Sequence, residues 1–101
     1  MSGHSIRSVQ GDRTLLFDDA HHFKEDRFAL GVEANSGRYY ASIPVSNGLV
    51  DYEEHYELTA EQYRTFSLDP CAAVDFVEAC RRHDHDELLM QQPGMNRGTP
   101  I

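Results

Sequence analysis

No apolar run in this sequence approaches the roughly 18 residues that a membrane span requires. The first residues, MSGHSIRSVQGDR, lack the apolar stretch of a secretory signal. A cytoplasmic protein with no membrane partner is expected. Cysteine is scarce as well, with only Cys71 and Cys80. Both fall on one expected helix, and at about 1.5 Å of rise per residue they stand roughly 13 Å apart, beyond the reach of a disulfide. Free thiols fit a reducing compartment. The seven glycines lie mostly in turns, and the chain has no GxSxG, glycine-rich phosphate loop, Rossmann fingerprint, HExxH or CxxC. An enzyme is therefore not expected, nor a cofactor.

Basic residues are few too. Nine Lys and Arg against 17 Asp and Glu give a net charge of −8 on 11.5 kDa. The imbalance is local, because residues 28–80 hold nine acids against Arg38 and Arg64. Such a field repels phosphate backbones and anionic membrane surfaces and attracts cations or basic proteins. Direct nucleic-acid binding is not expected; a basic protein partner is. The 101 residues, 40% apolar and 26% charged, contain no low-complexity tract or internal repeat. They suffice for a single domain over 1–101 with one modest core, since a chain of this size buries about two thirds of its unfolded surface. The ends at 1–4 and 91–101 read as flexible or irregular, the second being punctuated by Pro93-Gly94 and Gly98-Thr99-Pro100. Met95 and Ile101 are the side chains that would pack it down.

What the chain does have is a hairpin signal. Residues 38–58, RYYASIPVSNGLVDYEEHYEL, read as two strands folded back at Ser46-Asn47-Gly48, because Asn-Gly tolerates positive φ at both turn positions. In the second strand Val50, Tyr52, Tyr56 and Leu58 share one face, broken only by Glu54. Asp51, Glu53, His55 and Glu57 share the other. One side is predicted to be core and the other an acidic stripe. Upstream, the alternation of Phe28, Leu30, Val32 and Ala34 predicts a half-buried strand over 27–34, and Asn35-Ser36-Gly37 a short loop into the next. Pro44 has no N–H to donate, so it should sit at an irregularity, a strand end or an unpaired edge. Two shorter strands are expected over 5–10 and 13–18, joined at Gly11-Asp12. The polar DDAHHFKEDR that follows shows neither period and reads as a loop or a helical turn anchored by Phe23.

Helices follow the strands. Thr59-Ala60-Glu61-Gln62 has capping-box spacing and predicts a helix over 60–66 that buries Tyr63 and Phe66. Asp69-Pro70 is a second start signal, and Ala73, Phe76, Val77 and Cys80 then form one apolar stripe, predicting a helix over 70–83. Arg81 and Arg82 suit the negative end of its dipole. Leu88-Leu89-Met90 reads as a last helical turn or a short strand. The order predicts an α+β fold, a hairpin-rich antiparallel meander of four to five strands with two C-terminal helices on one face and the other face open.

The acidic stripe is the candidate site. Asp51, Glu53 and Glu57 recur about 7 Å apart per two residues, Glu33 is positioned to join them from the preceding strand, and His55 and Tyr40 complete the proposed contact face. Like charges along one face repel, and a basic partner would relieve that repulsion; the plainer reading is an ordinary solvated face. Six histidines, among them His21-His22 and His83-Asp84-His85-Asp86, raise a metal site or a small metal-dependent enzyme as the alternative. No spaced ligand motif supports it, and no metal is expected. A non-catalytic subunit of a larger complex would need the same complementary surface.

With its acidic strand VDYEEHYEL and its lack of catalytic signatures, the chain resembles the immunity proteins of bacterial toxin systems such as contact-dependent inhibition. These are commonly small, acidic and encoded beside a basic nuclease toxin. The resemblance implies an inhibitor that neutralises a cognate toxin by placing carboxylates where a nuclease expects phosphates.

Overall fold

A computed structural model describes residues 15–93 and 97–101. The chain forms one antiparallel sheet and two helices, an α+β fold as the order of elements predicts. Strands β1 (Phe17–Phe23), β2 (Phe28–Glu33), β3 (Tyr39–Ser46) and β4 (Asp51–Leu58) lie side by side in chain order, and a two-residue β5 (Thr99–Pro100) adds to β3. Helices α1 (Ala60–Leu68) and α2 (Val74–Arg81) cover one face.

The β3–β4 hairpin forms where expected, but its loop takes the four residues 47–50, with Ser46 opposite Asp51. Only Gly48 has positive φ, at +90°. The Asn47 side chain does the remaining work, its Oδ1 accepting from the N–H groups of Leu49 (2.9 Å) and Val50 (3.0 Å). Val50 consequently falls outside the strand and is 58% exposed, not part of the core face.

Leu30, Ala41, Ile43, Val45, Tyr56 and Leu58 form the sheet's contribution to the core, closed by Phe66 and Val77 from the helices. Each such burial contributes on the order of 1.5–3 kcal/mol. Pro44 fits between two neighbours. β2 ends opposite Ser42, and the Pro44 carbonyl accepts from Ile101 N–H at 3.2 Å on that vacated side. A residue's N–H and C=O point the same way in a strand, so the missing donor also faces the gap β2 leaves.

Two expectations are corrected. DDAHHF is not a loop but most of β1, an edge strand with a register shift between Asp19 and His21. All five residues between its terminal phenylalanines are exposed, so no apolar period marks it; Phe23 does anchor it, stacked on Phe28 at 4.8 Å. The second helix is divided, a 3-10 turn at Pro70–Ala73 preceding α2, and Asp69 makes no side-chain cap bond. The C-terminal residues 97–101 are docked through Arg97, Gly98 and β5, with Ile101 itself 45% exposed. The strand expected over 5–10, the start of the one over 13–18, the loose end at 1–4 and Met95 lie outside the described residues.

Both halves of the capping box at the start of α1 form, Gln62 N–H to Thr59 Oγ1 at 3.0 Å and Thr59 N–H to Gln62 Oε1 at 2.9 Å. After α2, Leu88 lies in a 3-10 turn (Asp86–Leu88), and Leu89 bridges Tyr56. The end of α2 is stapled to the β1–β2 turn, where one Arg81 nitrogen donates to the carbonyls of Asp26 and Arg27 at 2.8 Å each. Its last carbonyls are satisfied by a Schellman arrangement. Asp84 N–H reaches Ala79 O (2.9 Å) and His83 N–H reaches Cys80 O (3.0 Å), with His83 at φ +68°. That conformation suits glycine, so His83→Gly should stabilise the protein by about 0.5–1 kcal/mol. A lower urea midpoint than wild type would contradict it.

Candidate functional site

Register places the candidate residues on the sheet face away from the helices. Glu57 lies opposite Tyr40, His55 opposite Ser42, Glu53 opposite Pro44 and Asp51 opposite Ser46, and Tyr40 in turn lies opposite Gly31, itself opposite Asp19. The face is therefore shared as expected. It is not open throughout. Glu33 and Tyr40 are fully buried, Ser42 is 2% exposed and His55 8%.

Aromatic packing closes this half. The Phe17 ring stacks on His55 with centroids 3.6 Å apart and meets Tyr40 edge-on at 5.3 Å. Gly31 makes room for the Tyr40 ring, since a Cβ there would stand 2.5 Å from the Tyr40 hydroxyl. The hydroxyl donates to Asp19 Oδ1. Burial, and then that bond, push the Tyr40 phenol well above its ordinary range, so it stays protonated and keeps its proton on the bond to Asp19. Glu33 is turned inward, its carboxylate accepting from Leu16 N–H (2.8 Å), Asn35 N–H (3.1 Å), Ser36 N–H (2.8 Å) and Ser36 Oγ (2.7 Å). Burial draws its pKa upward, but these four donors outweigh burial and hold it below the usual carboxylate value. Glu33 is an internal anion that ties the β2–β3 loop to the start of β1. Its oxygens are occupied by internal donors and are not at the surface.

The exposed part of the proposed face is thus Asp51, Glu53 and Glu57. Glu57 is partly exposed and paired with Arg38 at 3.2 Å; Glu53, partly exposed, lies 3.7 Å from His55 Nε2. Asp51 is exposed at the end of β4. Asp19, which the sequence reading assigned to a loop, is a further exposed carboxylate on this face.

The acid that broke the apolar face of β4 has its own partner. Glu54 is 5% exposed and receives Arg97 through Nε (2.7 Å) and a terminal nitrogen (3.1 Å), while Arg97 also grips both oxygens of Asp86 at 2.9 and 3.0 Å. Tyr56 donates to Glu54 at 2.7 Å, and burial and that bond raise its phenol pKa. The bond from Arg97 holds Asp86 below its ordinary value despite an opposing effect of burial. Cys80 is buried nearby, and burial pushes its thiol up to about 12, which leaves it an inert core side chain; Cys71 is exposed, and both are free.

The histidines are dispersed. His21 lies beside Phe23 and Tyr63, His85 stacks on Phe76 at 4.7 Å, and His55 belongs to the aromatic cluster. Among the described residues no three His, Cys, Asp or Glu side chains gather to hold a metal ion. No helix among them is long and apolar enough to cross a membrane. No protein-family model, curated protein or solved structure matches this chain.

Proposed function

We propose that this is a binding protein that occupies the basic surface of another protein, an inhibitor of the toxin-immunity kind acting in the cytoplasm. The observation that carries the reading is the outer sheet face, where Asp51, Glu53 and Glu57 remain at the surface beside the buried Tyr40 and His55. Asp51 and Glu53 stand on a strand where a cationic site can reach them, Glu57 would share or exchange its Arg38 pair, and the summed field of the three steers a basic protein toward them. Tyr40 and His55 lie between and beside the carboxylates on the same face, packed under Phe17, and Glu33 shapes the edge of that face with its oxygens turned inward.

The test begins with a pull-down from the native organism at low and then moderate salt. Association of the captured basic protein is then followed by stopped flow. Replacing Asp51, Glu53 and Glu57 together by Lys should slow association by about tenfold or more and flatten its salt dependence. Unchanged association would remove the proposal, and loss of the captured protein's own enzymatic activity on binding would support the inhibitor reading.

A further inference from the structure

The large apolar side chains left exposed among the described residues are Leu49 (83%), Val50 (58%), Leu68 (80%) and Ile101 (45%). Leu68 ends α1; the other three lie at one end of the sheet. Leu49 and Val50 form the tip of the β3–β4 hairpin. Ile101 lies near the same end because β5 pairs with the last residues of β3: Thr99 is opposite Ser46 beside the tip, and the antiparallel course takes Ile101 back to Pro44, whose carbonyl accepts its N–H. Two rows result, Thr99–Ser46–Asp51 and Ile101–Pro44–Glu53. The most exposed apolar side chains of this end therefore stand beside Asp51 and Glu53.

The tip does not need those side chains for its own structure. Asn47 Oδ1 satisfies the N–H groups of Leu49 and Val50, Asn47 N–H reaches Val50 O at 3.2 Å, and Gly48 supplies the positive φ. Polar residues at 49 and 50 would fold as well and leave less apolar surface in water. A hydrogen-bonded turn that holds a leucine and a valine outward presents apolar surface without further ordering, and an apolar centre with a polar rim is the usual form of an interface.

We propose that this end of the sheet is where the partner is held, with Leu49 and Val50 seated on an apolar patch ringed by Lys or Arg on a basic protein and Asp51 and Glu53 meeting that ring. The adjacent carboxylates argue for a basic partner and against a second copy of this acidic chain. The inference rests on the preceding proposal of a basic partner and assigns retention to the apolar tip and steering to the carboxylates.

The experiment is an NMR titration of the labelled full chain with three probes: a helical peptide of leucine and lysine with the leucines on one face, its counterpart with serine for leucine, and polylysine. The leucine peptide should bind at least tenfold more tightly than its counterpart and shift the amides of Leu49 and Val50. Leu49→Ser should abolish that preference, and Asp51→Lys with Glu53→Lys should weaken all three probes. Because residue 49 is exposed, the serine variant keeps its fold. Equal binding of the two peptides, or shifts centred away from residues 47–51 and 99–101, would overturn this inference and leave the basic-partner reading intact. Failure of every probe, polylysine included, would count against both. A concentration-dependent dimer in sedimentation that Leu49→Ser makes monomeric would assign the tip to self-association and overturn the inference as well.

Discussion

Arg97→Met should cost the fold about 3 kcal/mol, and adding Glu54→Met should restore much of that loss. Glu54 is 5% exposed and Arg97 18%, so removing the guanidinium leaves a buried carboxylate with Tyr56 as its remaining hydrogen-bond donor. Breaking such a pair from one side costs roughly 3–5 kcal/mol, whereas replacing both partners by apolar groups of similar size is often neutral. The lower end of the range applies here because Asp86, the second carboxylate of the clamp, is 42% exposed and water recovers part of its loss. For a domain of this length the single variant should fall by roughly 12–24 °C in Tm. Urea unfolding of wild type, both single variants and the double variant closes the cycle. Equal stability of Arg97→Met and wild type would mean that the clamp does not hold the C-terminal residues.

Acid should act on the same clamp. The folded pKa of Asp86 lies below its ordinary value of 3.8 because of Arg97. Its contribution is therefore complete above the unfolded value and is lost as pH falls through the lower folded one. Arg97→Met should remove that part of the acid limb, so the stability gap between the two proteins should begin to narrow below about pH 4 and narrow further as pH falls through the lower folded value of Asp86.

Local signals carried much of the fold. The capping box of Thr59 and Gln62, the apolar alternation of β2 and β3 and the glycines at turns are written within a few residues, and each forms as expected. What the sequence hid was set by distant neighbours. β1 is polar because it is an edge strand whose central residues are exposed on both sides, so its pairing with β2 leaves no period to read. Alternation places Tyr40 and His55 on the correct face, but burial there depends on Phe17, two strands from Tyr40 and three from His55, and on the Tyr40 ring lying over Gly31. Glu54 did leave a signal: a charge in phase with core positions implies a buried cation. Arg97 lies 43 residues away, and nothing local selects it over the other arginines. For Val50, strand phase was extended one residue into a turn whose length is fixed by the Asn47 side chain.

Glu33→Ala is the second large effect, at about 3 kcal/mol. The substitution takes the acceptor from three backbone N–H groups and one hydroxyl, each hydrogen bond to a charged group contributing roughly 1.5–3 kcal/mol, with water recovering part at the exposed loop. Glu33→Gln keeps one carbonyl oxygen and should cost less. The two variants also separate anchoring from charge. The folded pKa of Glu33 is depressed below 4.5, so its stabilisation is complete above that value and lost as pH falls through the lower folded one. Urea midpoints at pH 7, 5, 4 and 3 should therefore fall for wild type in the last two steps and stay flatter for Glu33→Gln. If Glu33 instead belonged to the partner-facing charges, Glu33→Gln would slow association with a basic partner as a change at Glu53 does. The buried carboxylate predicts an association rate within about twofold of wild type, because its oxygens are occupied by internal donors and cannot meet a partner's cation at contact distance, so that it acts only as one charge in a net −8.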